Sequence, residues 1–204
     1  MNYLLAALFT YATSVAIASG FPANCSGCSF AGRDMRGANL ANVEYVGVDF
    51  ARANLRDANM RGSRLTGVNF RGADLRGADF RGAKLVGVDL HDADIAGLDL
   101  SGVSIVGGNL SEAKAQRVNL AGADLEGVNL AQADLRGADL RNAALCWRDS
   151  RVSCADLRGA DVRGADFRGA LLCQDDHGPR SCGPVDAATL REGSRSNLEG
   201  AILP

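Results

Sequence analysis

Histidine is almost missing from this sequence: only His91 and His177 occur among 204 residues. Their spacing from cysteines and carboxylates matches no tetrahedral zinc set, and no serine, histidine and aspartate constellation stands out. His91 reads as an outward surface residue. His177, beside Asp175 and Asp176, reads as part of a polar turn, with help in holding a metal as the sharper alternative. Aromatic side chains are scarce as well, at 5%, with seven phenylalanines and one tryptophan, Trp147. That is a poor recipe for an ordinary core of large side chains, although 47% of the residues are apolar; Ala, Val and Leu supply that fraction. Charge of one sign is also lacking. Twenty-two basic and 24 acidic residues give a net charge of −2 and are interspersed along the same segments, so no block advertises a nucleic acid or an anionic membrane. The chain is read as a non-enzyme with no catalytic residues, cofactor or metal.

What is present begins with one long apolar run. The first charged residue is Arg33, and Leu4 to Ala18 reads LLAALFTYATSVAIA. Its Ala16-Ile17-Ala18 ending is the small-x-small pattern that precedes a signal-peptidase cut. Residues 1–18 are therefore expected to be a signal peptide cleaved after Ala18, with Gly20 as second choice, and residues 19–27 a lead-in. No Lys or Arg stands near Met1, which departs from the usual signal. The alternative is an uncleaved anchor, for which a run of about 15 residues is short.

Glycine is plentiful, at 25 residues, and it recurs every five positions rather than in a phosphate-cradling loop. From Phe30 to Leu145, stepping by five, 24 consecutive positions hold Phe, Met, Leu, Tyr or Ile, with Ala115 the one small exception. Two residues earlier stands mostly Ala or Val, as at Ala38, Val43, Val48 and Ala53. Between the two lies mostly Asp or Asn, as at Asn39, Asp49, Asn54, Asp74, Asp79 and Asp139; the following position is often Arg. Neither a helix, with 3.6 residues per turn, nor a strand, with two, repeats every five. After Leu145 the rhythm shifts by two residues, Arg148-Asp149, and resumes with Val152, Leu157, Val162, Phe167 and Leu172 as centres, giving 29 units.

The Ala-Asp/Asn-Leu-x-Gly pattern of residues 28–174 resembles the pentapeptide-repeat family. The resemblance implies an all-β fold, a right-handed quadrilateral β-solenoid in which four units make one coil. Large centres and small partners would fill the axis, with Asp, Asn and Arg pointing outward. Phe30, Phe50 and Phe70 independently fall in one column at twenty-residue spacing, continued by Leu90, Leu110 and Leu130. Twenty-nine units make about seven coils and a rod roughly 34 Å long. Coils of this kind bury their core only by stacking. Residues 175–204 are expected to be a loop and a degenerate C-terminal coil or cap, with an imperfect rhythm at Leu198 and Leu203.

Six cysteines sit at the irregularities: Cys25 and Cys28 at the start, Cys146 and Cys154 at the phase shift, Cys173 and Cys182 at the end. With an export signal they read as disulfides, and local pairing is the simplest of the fifteen connectivities. Cys25 and Cys28 could instead form a redox site or half a metal site. An N-terminal Cys-x-x-Cys before the first repeats also occurs in exported members of the family. Trp147 is expected to pack beside the Cys146 and Cys154 bulge, with a partner contact as the alternative.

Two functional classes follow. One is an exported structural or protein-interaction module, periplasmic or secreted by a bacterium. It would bind an unidentified protein partner, form a possible homodimer through a solenoid end, and contact no nucleic acid and, after cleavage, no membrane. The other comes from the resemblance: some members of the family mimic duplex DNA and protect type II topoisomerases from fluoroquinolones. Duplex DNA carries one charge per about 1.7 Å, so a rod of this length would need on the order of twenty negative charges. The near-neutral charge and the export signal disfavour that reading.

Overall fold

The computed structural model describes residues 21–145, 155–158, 160–174, 181–184 and 200–203. The signal-peptide segment, Trp147, Cys146, Cys154, Val152, His177 and Leu198 lie outside the described residues.

The five-residue unit is a short extended piece followed by a corner. In Ala73-Asp74-Leu75-Arg76-Gly77, the Ala78 N–H donates to the Leu75 carbonyl at 3.0 Å, closing a four-residue turn. Gly77 lies at φ +74°, which is the type II geometry that favours glycine at the third position. Every corner from residue 27 to residue 142, at steps of five, has positive φ. Most are glycine, but Asn42, Arg52, Asp57, Asp92, Glu112, Arg117, Gln132 and Asn142 hold φ between 55° and 60°. Each of those eight side chains sits in a conformation costing about 1–2 kcal/mol relative to the right-handed region.

Four corners return the chain above its start, so residues twenty apart pair in parallel. One wall carries five short strands, β1 (Asn24–Ser26), β2 (Glu44–Val46), β3 (Arg64–Thr66), β4 (Lys84–Val86) and β5 (Ser104–Val106). They form a sheet in that order, with Cys25, Tyr45, Leu65, Leu85 and Ile105 in register. The other walls are held by single bridges, as in the column Ser29, Asp49, Asn69, Asp89, Asn109, Asn129, Asp156, which is seven levels deep. The named strands span only the first four turns; the bridges carry the ladder onward. The molecule is an all-β, four-sided β-solenoid.

Centres and narrow positions form one continuous core. Leu40, Tyr45, Phe50, Leu55, Phe70 and Leu75 have no exposed surface, and Ala115 is equally buried. Each large centre contributes about 1.5–3 kcal/mol of burial. Phe30, Phe50 and Phe70 stack with centroids 5.2 and 5.4 Å apart and rings within 17° of parallel. Phe21 closes the N-terminal end, meeting Phe30 edge-on at 5.6 Å. The buried Tyr45 hydroxyl donates to the Pro22 carbonyl at 3.0 Å and ties the lead-in to the second level.

Two expectations about the C-terminal third need correction. Asp124 pairs with Ala144 twenty residues on, but Asn129 pairs with Asp156, Asp134 with Asp161 and Asp139 with Asp166, each 27 residues on. The register therefore lengthens by seven residues between Leu145 and Ala155, rather than by the two expected at 148–149. The Ala155 N–H donates to the Leu145 carbonyl at 2.8 Å, closing the wall across the inserted segment. Leu172, expected as a centre, lies in β6 (Leu171–Gln174), whose partner is β7 (Ser181–Pro184) in an antiparallel hairpin. The intervening sequence carries Gly178-Pro179 and abandons the repeat, so the chain folds back locally instead of laying down another level. The solenoid resumes at the terminus: the Phe167 N–H donates to the Ile202 carbonyl, the Ile202 N–H donates to the Ala165 carbonyl, both at 2.8 Å, and Leu203 packs against the core.

Candidate functional site

The surface chemistry belongs to the aspartates and arginines. Asp74 Oδ1 accepts the backbone N–H of Arg76 at 3.2 Å, and the same carboxylate takes Arg76 Nε at 2.9 Å and Nη2 at 2.6 Å. The arrangement recurs at Asp79 with Arg81, Asp134 with Arg136, Asp139 with Arg141 and Asp166 with Arg168. Outward Asp and Asn therefore serve the backbone: each oxygen satisfies an amide of the next corner, a local bond these side chains make readily. Arginines also reach across levels, from Arg76 Nε to Asp94 at 3.2 Å and from Arg61 Nη1 to Asp79 at 3.4 Å. Asparagines bridge levels too: Asn69 Nδ2 donates to Asp49 Oδ1 at 2.9 Å, and Asn119 Nδ2 to Asp99 Oδ1 at 2.9 Å. The expectation that Asp, Asn and Arg simply point outward did not include that work. The signal for it was the frequent recurrence of Asp or Asn immediately before the centre.

This chemistry suits adhesion to the fold rather than proton transfer. The arginine hydrogen bond holds each of the Asp74, Asp79, Asp134, Asp139 and Asp166 carboxyls below the usual carboxylate range. A general acid working near neutrality needs the opposite shift. Burial pushes the Tyr45 phenol up to about 12, but it faces Pro22 in the interior. His91 lies half-buried on its wall with Nδ1 3.0 Å from Ser111 Oγ, while its backbone N–H donates to Asp89 Oδ1 at 3.1 Å. Among the described residues no three His, Cys, Asp or Glu side chains converge where a metal ion could sit.

Cys25 and Cys28 form a disulfide, with Cα atoms 6.0 Å apart. Cys25 takes the central column beneath Tyr45, and Cys28 the narrow column that Val48 continues; both pack against the core. The bridge thus occupies in the first coil the positions that Leu and Ala hold elsewhere, partly buried against the core. Cys173 and Cys182 are direct cross-strand partners in the register of β6 and β7.

One irregularity interrupts the walls. Every narrow position from Ala38 to Ala143 holds Ala, Val, Ser or Gly except Leu98. Leu98 is buried, one level beyond Ala78. Above and below, this wall is fully laddered: the Met60 N–H donates to the Asp79 carbonyl at 2.8 Å and the Leu100 N–H to the Asn119 carbonyl at 2.8 Å. Between the Asp79 and Asp99 walls, no ladder hydrogen bond forms among the described residues. An open cleft of about 300 Å³ lies there, lined by Gly77, Ala78, Asp79, Arg81, Gly97, Leu98 and Asp99. Extra methylenes in a position built for Ala or Val wedge the coils apart on this one side, as overpacking does.

The sequence pattern of pentapeptide repeats matches in eight copies, over residues 34–72, 46–82, 73–111, 116–147 and 152–174. The chain belongs to the pentapeptide-repeat family. This pentapeptide-repeat protein is similar in fold to a trypsin-treated variant of QnrB1, described as a plasmid-mediated fluoroquinolone resistance protein. The TM-score is 0.60 and the identity 18%, covering 89% of this chain and 91% of that one. It also matches HetL, a pentapeptide-repeat protein involved in heterocyst differentiation regulation from the cyanobacterium Nostoc sp. strain PCC 7120, at 27% identity over 88% of this chain and 82% of that one, with a TM-score of 0.43. A search of the curated proteins finds no significant match. The likeness to QnrB1 concerns the fold; in this pentapeptide-repeat protein the aspartates that would supply a DNA-like charge are neutralised by hydrogen-bonded arginines.

Proposed function

We propose that the protein is an exported, non-catalytic scaffold that binds another protein through its long walls, in the periplasm or outside a bacterial cell. The observation that carries this reading is the commitment of the polar side chains. Among the described residues, aspartates such as Asp74 and Asp79 cap corners and bind arginines, which hold their carboxyls below the usual carboxylate range, and His91 is tied to a neighbouring serine. What remains to offer is an ordered, regular surface of the sort that repeat proteins use for binding. The apolar run before residue 20 and the core-packed Cys25–Cys28 disulfide support export, because disulfides persist in oxidising compartments.

Subcellular fractionation with thiol labelling tests the proposal. The expected outcome is protein in the periplasmic or culture fraction, beginning at Ser19 and carrying no free thiol. Full-length protein in the cytosol with reactive cysteines would overturn export and the disulfide framework together. For the binding role, affinity capture from the envelope fraction should recover a partner whose binding is lost when wall residues are substituted and kept when end residues are.

A further inference from the structure

The seam between the Asp79 and Asp99 walls leaves a run of backbone groups without their ladder partners. One level before it, the Met60 and Gly62 N–H groups donate to the Asp79 and Arg81 carbonyls at 2.8 and 3.0 Å, and the Asp79 N–H donates to the Ala58 carbonyl at 2.9 Å. One level beyond it, the Gly97, Leu100 and Gly102 N–H groups donate to the Gln116, Asn119 and Ala121 carbonyls at 2.8, 2.8 and 2.9 Å. At the seam itself, the equivalent amides of Gly77, Phe80, Gly82 and Asp99 find no acceptor among the described residues. The carbonyls of Ala78, Ala96, Asp99 and Ser101 likewise find no donor. Backbone groups of this kind are strong hydrogen-bonding partners for whatever enters the cleft.

The side chains change at the same place. Arg76 and Arg81 follow the centres on the near lip, whereas Ala96 and Ser101 hold those positions on the far lip. The far lip is therefore uncovered, and Asp99 is exposed where Asp79, Asp94 and Asp139 are half-buried. On this wall and the preceding one, every other described aspartate immediately before a centre is in an ion pair with an arginine, as at Asp74, Asp79, Asp94, Asp139 and Asp166. Asp99 has no such partner. Its Oδ1 accepts the Ser101 N–H at 3.1 Å and Asn119 Nδ2 at 2.9 Å, and among the described residues nothing donates to its Oδ2.

A ligand that satisfies this cleft must bring both donors and acceptors to its lips and a cation to its one unpaired carboxylate. An extended peptide supplies the first through its main chain, and an arginine supplies the second with the planar, two-pronged geometry that carboxylates on these walls already receive. We infer that the seam binds a short extended segment of a partner protein, its main chain hydrogen-bonded to the open lips and its arginine paired with Asp99. Gly77 to Gly82 is one side of the square, so the bound stretch is about three or four residues long at about 3.3 Å each. The cleft, about 300 Å³, is at the small end of ligand sites, and the affinity of the segment alone is low, with a Kd on the order of 1 mM. The inference rests on the reading of the walls as protein-binding surfaces. Its test needs only the purified chain and a synthetic peptide, so its failure leaves envelope capture to decide that reading separately.

NMR titration of the intact, isotopically labelled chain with acetyl-Gly-Arg-Gly-amide reads this directly. Shift changes should concentrate on the amides of Gly77, Phe80, Gly82 and Asp99. Citrulline in place of the peptide's arginine keeps the shape and removes the charge, and should weaken binding at least about fivefold. Asp99→Asn, which keeps an oxygen for the Ser101 amide, should do the same, and the two changes together should weaken binding no more than either alone. Ser101→Arg places at this position the residue found at Arg81 and Arg141. It should occupy Asp99 from within, weakening the arginine peptide at least about fivefold and leaving the citrulline peptide within about twofold. A peptide methylated on its backbone nitrogens, and free arginine amide, should each bind at least about tenfold more weakly than the parent. Absence of shifts at the four amides at about 10 mM peptide overturns the inference. So does arginine amide that binds as tightly as the peptide, because the open ladder would then contribute nothing. Affinity indifferent to both Asp99→Asn and Ser101→Arg, in variants that melt like the wild type, overturns it as well.

Discussion

Leu98 sits one level beyond Ala78 in the narrow column, and the ladder that should join their walls is open. The relationship makes a conditional prediction. Leu98→Val, which restores the residue type found at Val88, Val103 and Val118, should let the walls close and shrink the cleft at Gly77 and Asp99. The Phe80 and Asp99 amides should then exchange with solvent at least about tenfold more slowly, as amides in intact ladders do. Overall stability should shift by less than about 1.5 kcal/mol, since lost burial is offset by recovered hydrogen bonds. Unchanged exchange at those amides would separate the open ladder from the bulk of Leu98.

Ser63 occupies a narrow position where Ala or Val is usual, fully buried, and its hydroxyl has no hydrogen-bond partner. A buried unsatisfied hydroxyl costs on the order of 1–3 kcal/mol. Ser63→Ala should therefore raise stability by about 1 kcal/mol, read as a higher denaturant midpoint at unchanged m-value. A destabilised variant would show that the hydroxyl is satisfied.

The aspartate and arginine pairs fix the sign of the pH dependence. The Asp74, Asp79, Asp134, Asp139 and Asp166 carboxyls are held below their ordinary range, chiefly by the arginine hydrogen bond. The folded state thus binds fewer protons than the unfolded chain. The stabilisation is complete above the unfolded value, about 4, and is lost as pH falls through the folded values. The pairs lie at the surface, so the loss per pair is small and salt reduces it. At the alkaline end, the Tyr45 phenol is raised to about 12 by burial. Its contribution is present below about pH 10 and is lost as pH rises through its folded value. Melting temperature against pH should accordingly be flat between about 5 and 9 and fall on both sides; a rise toward acid would contradict the pairing.

Much of the fold was legible because the period of five is carried by the residues that pay the largest burial term. Phe50, Leu75 and Leu100 announce the axis in the sequence and occupy it in the structure. The C-terminal third was harder to read for a physical reason. Ser150 to Cys154 has the outline of a unit around Val152, yet whether such a unit enters the ladder depends on how Leu145 rejoins Ala155, which local pattern does not encode. The strand wall was available in the sequence as a departure at twenty-residue spacing, in Glu44, Arg64, Lys84 and Ser104 where the other walls carry mainly Asp or Asn. The outward aspartates were located correctly, but their bonds to corner amides are set by backbone geometry that spacing alone does not show.

The corners supply a last test, because two glycines with the same backbone differ in what lies above them. Gly77 and Gly87 both adopt positive φ, +74° and +59°, so alanine at either incurs the left-handed strain of about 1–2 kcal/mol. A Cβ on Gly87 meets nothing within 4 Å, whereas one on Gly77 collides with the carboxylate of Asp57, the corner residue one level away. Gly77→Ala should therefore destabilise more than Gly87→Ala, by about 1 kcal/mol or more. Asp57→Gly removes the collision and relieves strain at its own corner, φ 58°. In the Asp57→Gly background the two alanine substitutions should cost the same, within about 0.5 kcal/mol. Equal costs in the wild type would mean that the Asp57 side chain swings aside freely, and the corner side chains would then be decoration on the solenoid rather than part of its packing.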